Sequence, residues 1–589
     1  MYVELSSDRI WCWVEFRENE LIQKVPGAKW NQEHSLWHLP LSWAGCQQLR
    51  GVFGTALQIG PELAAWAAQD LQARVGPCLS LRDAEDAEMP ASLLPKDLPK
   101  AGDIRDGEVV EQDWDLEPRQ RAGVRFLATA HRAALCDGMG SGKTVQTICA
   151  LRLLEIEGQN PFPAVVVCPN SMKATWAKEW ALWDPRRKVQ VVSGSATQRR
   201  KQIESGADVL VFNWEGLRYH SRVAGYGSIR LTDKEKEDGD LQAIALRTLV
   251  ADEAHRAKNP SAKQTRAAWQ VAKQCMFRFA LTGTPVANSP EDTWAIMHMV
   301  EPDEWPSKGQ FLDRYALQSW SQFGFMNVVG IRGDVRDEFF RILDPRFIRR
   351  PTEIVVPDLK AKLPPQVREV DLLPKQRKAY DQLKKELLAE LESGVLMATN
   401  PLTRMTRLVQ LAASYGELDE HGNLTLTEPS SKLDALMDIL EEIGDEESAV
   451  VFAESRQLIE LAAARCTKSK ILHGLITGAI DVHRRQAAVD DFQAGRIRVI
   501  LATLGAGGEG LTLTAARHSI FLQRSFSLVK NLQAEDRIWR KGQMREVQRI
   551  DIMAADTIEQ HVFDIGLEKQ ARLEEICRDE ETLRRWLDG

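Results

Sequence analysis

Residues 134–154 read ALCDGMGSGKTVQTICALRLL. A short apolar run meets a glycine-rich loop and then a stretch with helical periodicity. Gly138, Gly140 and Gly142 let backbone amides approach and cradle phosphate oxygens, with Asp137, Met139 and Ser141 completing the loop. The helix that starts near Lys143 adds the positive end of its dipole. Lys143 is then suited to β/γ-phosphates and Thr144 to Mg2+. A strict G-x-x-x-x-G-K-T loop wants glycine at 137, where this chain has aspartate. Alone, G-S-G-K-T can be an ordinary turn; the strand–loop–helix setting favours phosphate binding.

The texture around the loop is α/β. AALC (133–136), AVVVC (164–168), DVLVF (208–212), TLVA (248–251) and FRFAL (277–281) are expected strands, each followed by a polar loop and usually a helix. That is the βαβ pattern of a parallel sheet covered on both faces. After a less regular stretch the pattern returns in AVVF (449–452), KILHGLI (470–476), RVILA (498–502), SIFLQ (519–523) and QRIDIM (548–553). The expected fold class is therefore α/β, with two lobes of parallel sheet flanked by helices. The expected divisions are an accessory module and linker (1–105), a first lobe (106–300), a helical insertion and inter-lobe linker (301–429), a second lobe (430–555) and a C-terminal helical segment (556–589).

Three further motifs carry chemistry. In LVADEAHRAKNP (249–260) an apolar strand stops at Asp252. Ligands of open α/β sheets gather at that edge. Asp252 suits the same Mg2+ as Thr144, and Glu253 suits polarising the attacking water. His255 alone is a weaker signal, since an isolated histidine is more often structural. In ALTGTPVANSP (280–290), Thr282, Gly283 and Thr284 at another strand end form a turn that reads, beside the other motifs, as a γ-phosphate sensor. In NLQAEDRIWRKGQ (531–543), Arg537 and Arg540 are three apart and expected on one helix face with Gln533. An isolated R-x-x-R is a basic surface helix. With a phosphate loop upstream it becomes an arginine-finger candidate.

Bulk composition sets limits. The 589 residues suit three or four domains, and a hydrophobic content of 44% gives each a core. The net charge of −8 argues against a uniformly basic coat for nucleic acid but leaves room for a local basic patch. The nine cysteines form no C-x-x-C pair, which points to a reducing compartment and no zinc site. No apolar run approaches the ~20 residues a bilayer requires, and the N-terminus has no export pattern, so the chain is expected in the cytoplasm. Residues 1–105 hold Trp11, Trp13, Trp30, Trp37, Trp43 and Trp66 among short β-like runs, and are expected to be α+β. These tryptophans suit either the core of a small module or a stacking surface with Lys24, Lys29 and His38.

Taken in order, DGMGSGKT, VCPNSMKATWAKEW, VLVFNWEGL, DEAH, LTGTPVANSP, LATLGAGGEGLTLTAA and QAEDRIWRKGQ resemble the motifs of superfamily-two helicases, and within them the Swi/Snf-related branch. The resemblance covers about 110–570. It implies two RecA-like lobes with ATP and Mg2+ between them, and a DNA-dependent ATPase. Movement would be along double-stranded DNA, forked or branched DNA included, without strand separation. By motif position, Gln120 would read adenine, and Gly510 and Gln533 would contact ATP. Lys143, Asp252, Glu253, Arg537 and Arg540 would be catalytic, with Thr144 and Asp252 on the metal. His255, Thr282, Gly283 and Thr284 would couple the site to movement. Ser171, Lys173, Thr503, Gly507, Gly508 and Thr512 would hold the DNA backbone. A monomer is expected, of phage or bacterial type, with the N-terminal module as a candidate contact for a protein partner. A strand-separating DNA or RNA helicase and a nucleotide-gated scaffold are the alternatives. Trp539 (usually His), SFSLV (525–529, for Trp-x-Pro) and Glu509 in a normally apolar Gly-rich motif depart from the family pattern.

Overall fold

The computed structural model describes residues 1–94, 101–105, 108–112, 115–223, 239–285, 291–320, 326–392, 401–418, 423–507, 511–540 and 542–577. Two compact units form, one around Met1–Val356 and the other around Pro357–Ala571.

The first unit contains a seven-stranded, all-parallel sheet. Its strands are β1 (Arg132–Leu135), β2 (Ala164–Cys168), β3 (Val189–Val191), β4 (Val209–Asn213), β5 (Thr248–Asp252), β6 (Phe277–Leu281) and β7 (Phe347–Ile348). They lie in the order β3-β4-β2-β5-β6-β1-β7. Every residue of β2, β5 and β6 is buried, because helices cover both faces. This double burial makes the strands read as unbroken apolar runs. All five strands expected in this half are present, and β3 and β7 join them at the two edges.

The second unit has a six-stranded parallel sheet: β8 (Gln366–Val370), β9 (Ala449–Ala453), β10 (His473–Ile476), β11 (Val499–Thr503), β12 (His518–Phe521) and β13 (Gln548–Ala554), in the order β8-β13-β12-β9-β11-β10. Helix Ser431–Glu442 is capped by the Ser430 hydroxyl, which accepts from the Leu433 amide. Its buried Lys432 donates to the carbonyls of Leu522 and Ile552, both at 2.7 Å, and pairs with Glu559 at 2.6 Å. That ammonium pins the start of helix Ile558–Cys577 to the sheet edge.

The stretch 301–429 is not one helical insertion. Residues 301–356 belong to the first unit and contain a hairpin (Ala316–Trp320 with Met326–Ile331) as well as the edge strand β7. Residues from 357 onward belong to the second unit, where β8 pairs with β13. Edge strands β7 and β8 are short or exposed, so they carry little of the periodicity that marks a strand.

The N-terminal module is α+β. Its sheet runs Lys29–Asn31, Leu36–Pro40, Arg9–Trp13, Tyr2–Ser6, Gln58–Ile59, and helices Trp43–Phe53 and Pro61–Asp70 pack on it. The core is mainly aliphatic, with Val3, Ile10, Val25, Leu39, Leu49 and Leu63 buried. The tryptophans sit at its margin or outside: Trp13 is 44% and Trp30 49% exposed. The module is fastened to the rest of its unit. Trp43 Nε1 donates to the Arg341 carbonyl at 3.1 Å, Gln48 Nε2 to Tyr315 Oη at 3.2 Å, and Arg82 pairs with Asp344 at 2.6 Å. No helix among the described residues is long and apolar enough to cross a membrane.

Candidate active site

Strand β1 delivers the loop 136–142, and helix Lys143–Ile156 leaves it. Gly140 (φ +78°) and Gly142 (φ +76°) hold the left-handed conformation that glycine adopts without strain. Lys143 Nζ donates to the carbonyls of Asp137 and Gly138, both at 2.9 Å. Burial lowers its pKa, and Glu253, Asp137 and Asp252 oppose the shift. The phosphate loop and the acidic strand end, more than a hundred residues apart, thus act on one ammonium. Gln120 is buried; its Nε2 donates to the Ser141 carbonyl at 2.9 Å, and its Oε1 accepts the Glu117 amide at 3.0 Å. Thr144 is half-buried in the first turn of the helix.

Asp252 ends β5. Its Oδ2 accepts from Trp176 Nε1 at 2.9 Å and its Oδ1 from the Glu253 amide at 2.9 Å, while Trp214 Nε1 donates to its carbonyl at 2.9 Å. Burial pushes its carboxyl well above the usual range, to about 6, with Glu253 adding to the rise and Trp176 and Lys143 opposing it. Glu253 has φ +51°, a left-handed conformation that is costly for a residue with a side chain and is found at functional turns. His255 Nδ1 lies 3.3 Å from Glu253 Oε2 and 3.1 Å from Thr282 Oγ1, and Thr282 Oγ1 also accepts the Thr284 amide at 3.1 Å. The acidic strand end and the Thr-Gly-Thr turn are therefore joined through one imidazole. Gly283 lies against the phosphate loop: a Cβ there would meet Met139 Cγ at 2.5 Å.

The donor set fits Mg2+. Asp252 and Thr144 are oxygen donors. Among the described residues no group of three or more His, Cys, Asp or Glu side chains could hold a metal. Sparse protein ligation of this kind is the habit of Mg2+ on phosphates, whereas zinc takes three or four protein ligands.

In the second unit, helix Leu528–Glu535 carries Gln533 but stops before the arginines. Arg537 and Arg540 lie in the turns beyond it and do not share a helix face with Gln533. The physical reason is that the Arg537 carbonyl accepts the Leu513 amide at 2.9 Å, which ties the turn to a neighbouring loop. The pair still converges, because Nη1 of each faces the Leu511 carbonyl at 3.4 Å. Trp539 is buried, donates to the Lys360 carbonyl at 2.7 Å, and lies under Lys362 Nζ at 4.0 Å. The departure from histidine thus fixes the incoming chain.

Ser171 lies in the turn Asn170–Met172 and Lys173 opens helix Lys173–Trp183, its Nζ donating to the Val192 carbonyl at 3.2 Å. Thr503 ends β11, Gly507 closes the turn of helix Leu504–Gly507, and Thr512 lies just beyond. Gly508 and Gly510, like Glu509 and residues 286–290 of the Thr-Gly-Thr motif, lie outside the described residues. Sequence reasoning missed Trp176, Trp214, Arg349, Arg350 and Thr352. The sequence signal available for the last three is the paired arginines of FIRRPT (347–352).

The SNF2-related domain family matches residues 119–415, half the chain, and the helicase conserved C-terminal domain matches 431–542. An uncharacterized ATP-dependent helicase of Mycoplasma genitalium is 27% identical over 77% of this chain and 42% of its own length. The ISWI chromatin-remodeling complex ATPase of Saccharomyces cerevisiae is 24% identical over 78% of this chain and 40% of its own. The chain thus spans less than half of these relatives. A solved SWI2/SNF2 ATPase core of Sulfolobus solfataricus in complex with dsDNA is 22% identical, with a TM-score of 0.37, over 77% of this chain and 90% of that one. By the family match over its motif-bearing half, the chain belongs to the SNF2-related family.

Proposed function

We propose that the protein is an ATP-hydrolysing motor that moves along double-stranded DNA and remodels DNA or DNA-bound complexes without processive strand separation. The observation that carries the ATPase reading is the gathering of the phosphate loop, the Asp252-Glu253 strand end and the Thr282 turn around Lys143 and His255. The DNA reading is supported by family membership and by the chromatin-remodeling ATPase among the relatives.

Lys143 would contact the β/γ-phosphates and Gln120 the adenine. Thr144 and Asp252 would hold Mg2+, which when bound neutralises charge on the phosphate oxygens. Glu253 would polarise the attacking water, with His255 relaying the phosphate state to Thr282. Arg537 and Arg540 take the arginine-finger role, with Gly510 and Gln533 as further ATP contacts. Ser171, Lys173, Thr503, Gly507, Gly508 and Thr512 would grip the DNA backbone, a mode without sequence information.

A strand-separating helicase shares this nucleotide chemistry, and the Mycoplasma relative carries the helicase name. ATP-dependent displacement of a third strand from a triplex, with no unwinding of a fork, is the expected result. Processive unwinding would favour the second reading.

A further inference from the structure

The segment Arg349–Thr352 runs along the phosphate loop. Strand pairing continues past β7: the Cys136 amide donates to the Ile348 carbonyl at 2.7 Å and the Gly138 amide to the Arg350 carbonyl at 2.9 Å. The Arg350 guanidinium grips Asp137 with both prongs, Nε at 3.0 Å and Nη2 at 2.5 Å, and its amide donates to the same carboxylate at 3.1 Å. Its Nη2 also reaches Gln146 Oε1 at 3.2 Å, and its Nη1 the Arg119 carbonyl, next to Gln120, at 2.5 Å. Arg349 Nη1 bridges the carbonyls of Cys136 (3.0 Å) and Gly283 (2.9 Å). Thr352 Oγ1 donates to the Met139 carbonyl at 3.0 Å. Three residues of this segment, Arg349, Arg350 and Thr352, therefore touch the phosphate loop, the Gln120 helix and the Thr-Gly-Thr turn.

Two oddities of the loop follow. Asp137 stands where a strict phosphate loop has glycine, and both it and Arg350 are buried, at 0% and 4% exposure. A lone carboxylate there would be prohibitively desolvated; Arg350 supplies the fork that neutralises it. Gly138 is needed for close approach: a Cβ would lie 2.0 Å from Thr352 Oγ1 and 2.7 Å from its amide nitrogen. Asp137 connects the two ends of the device, since its side chain holds Arg350 while its carbonyl holds Lys143.

We propose that Arg349–Thr352 is a strap that sets the shape of the phosphate loop, with Arg350 a positioning residue for ATP acting through Asp137. The inference rests on the ATP reading of the loop. The test is made on the full chain with Mg2+ and ATP, measuring the ATP Kd, KM, kcat and Tm for the parent, Arg350→Lys, Asp137→Asn and the double variant. Lysine keeps the charge and loses the fork. The strap predicts that Arg350→Lys raises Kd and KM for ATP by about tenfold, with a smaller change in kcat. It also predicts that the double variant is little worse than either single, because the pair acts as a unit. A lowered Tm with unchanged Kd and KM would reduce the pair to structural cement and overturn the proposal. Should Arg350→Lys not fold, Thr352→Val removes only the hydroxyl donated to Met139; a raised KM supports the strap and an unchanged one rejects it. A parent that binds no ATP would sink the nucleotide reading itself, an outcome distinct from a parent that binds and variants that bind equally well.

Discussion

Lys143 rests its ammonium on two loop carbonyls, and the acids around it counter the effect of burial on its charge. Lys143→Ala should lower kcat for ATP hydrolysis by at least about a hundredfold, the scale for losing a preorganised donor at a charged transition state. It should leave DNA affinity within about twofold, since the proposed phosphate contacts do not include it. Turnover assays and DNA gel shifts on one preparation check both halves. Arg540→Ala should cost about a thousandfold in kcat while ATP affinity stays nearly constant. A matching loss of affinity in equilibrium binding would assign Arg540 to ground-state binding. The position of the acids at 252–253 was legible because an apolar run ends at Asp252, and that of the loop lysine because a glycine-rich loop leads into a helix. Trp176 and Trp214 were not: their indoles reach Asp252 from 76 and 38 residues away, and nothing periodic marks such contacts.

Whether an element could be read from sequence follows its burial. The strands β2, β5, β6, β9 and β11 are enclosed on both faces and appear as continuous apolar runs. Three of the four edge strands of the two parallel sheets escaped notice: β3 is half-buried throughout, β7 has two residues, and QVREV of β8 is largely exposed. The end of helix Leu528–Glu535 was also missed: a loop amide captures the Arg537 carbonyl just beyond it, and no local breaker marks the place. That helix is joined to its sheet by charge. Glu535 pairs with Arg524 at 2.8 Å and Arg549 at 3.3 Å, and both arginines reach Asp551 on β13. Burial alone would raise the Glu535 carboxyl; Arg549, Arg524 and Lys362 overcome it and bring it from 4.5 to about 2. A carboxyl with a lower pKa in the folded state stabilises above its unfolded value and loses that contribution as pH falls. The stability difference between the parent and Glu535→Gln should therefore be full above pH 4.5 and shrink progressively towards pH 2. Urea titrations across that window check it, and a constant difference would show that the cluster does not hold the charge.

At the scale of the whole molecule, the proposed reading sets a net charge of −8 beside a grip on a polyanion. On that reading binding would depend on local donors at strand ends and helix starts, so affinity should fall steeply with salt and little with sequence. The family's order of motifs was legible end to end. The N-terminal module was legible as tryptophan-rich and α+β; its mainly aliphatic core, with exposed tryptophans at the margin, came from the fold. The most direct test of a duplex-tracking ATPase is the steady-state rate of ATP hydrolysis with no nucleic acid, duplex DNA, single-stranded DNA, forked DNA and RNA, at one salt concentration. The account predicts stimulation of about tenfold or more by duplex DNA, of the order expected when a cofactor assembles a transition-state contact, and little by RNA. Stimulation by RNA alone, or a rate indifferent to duplex DNA, would contradict it.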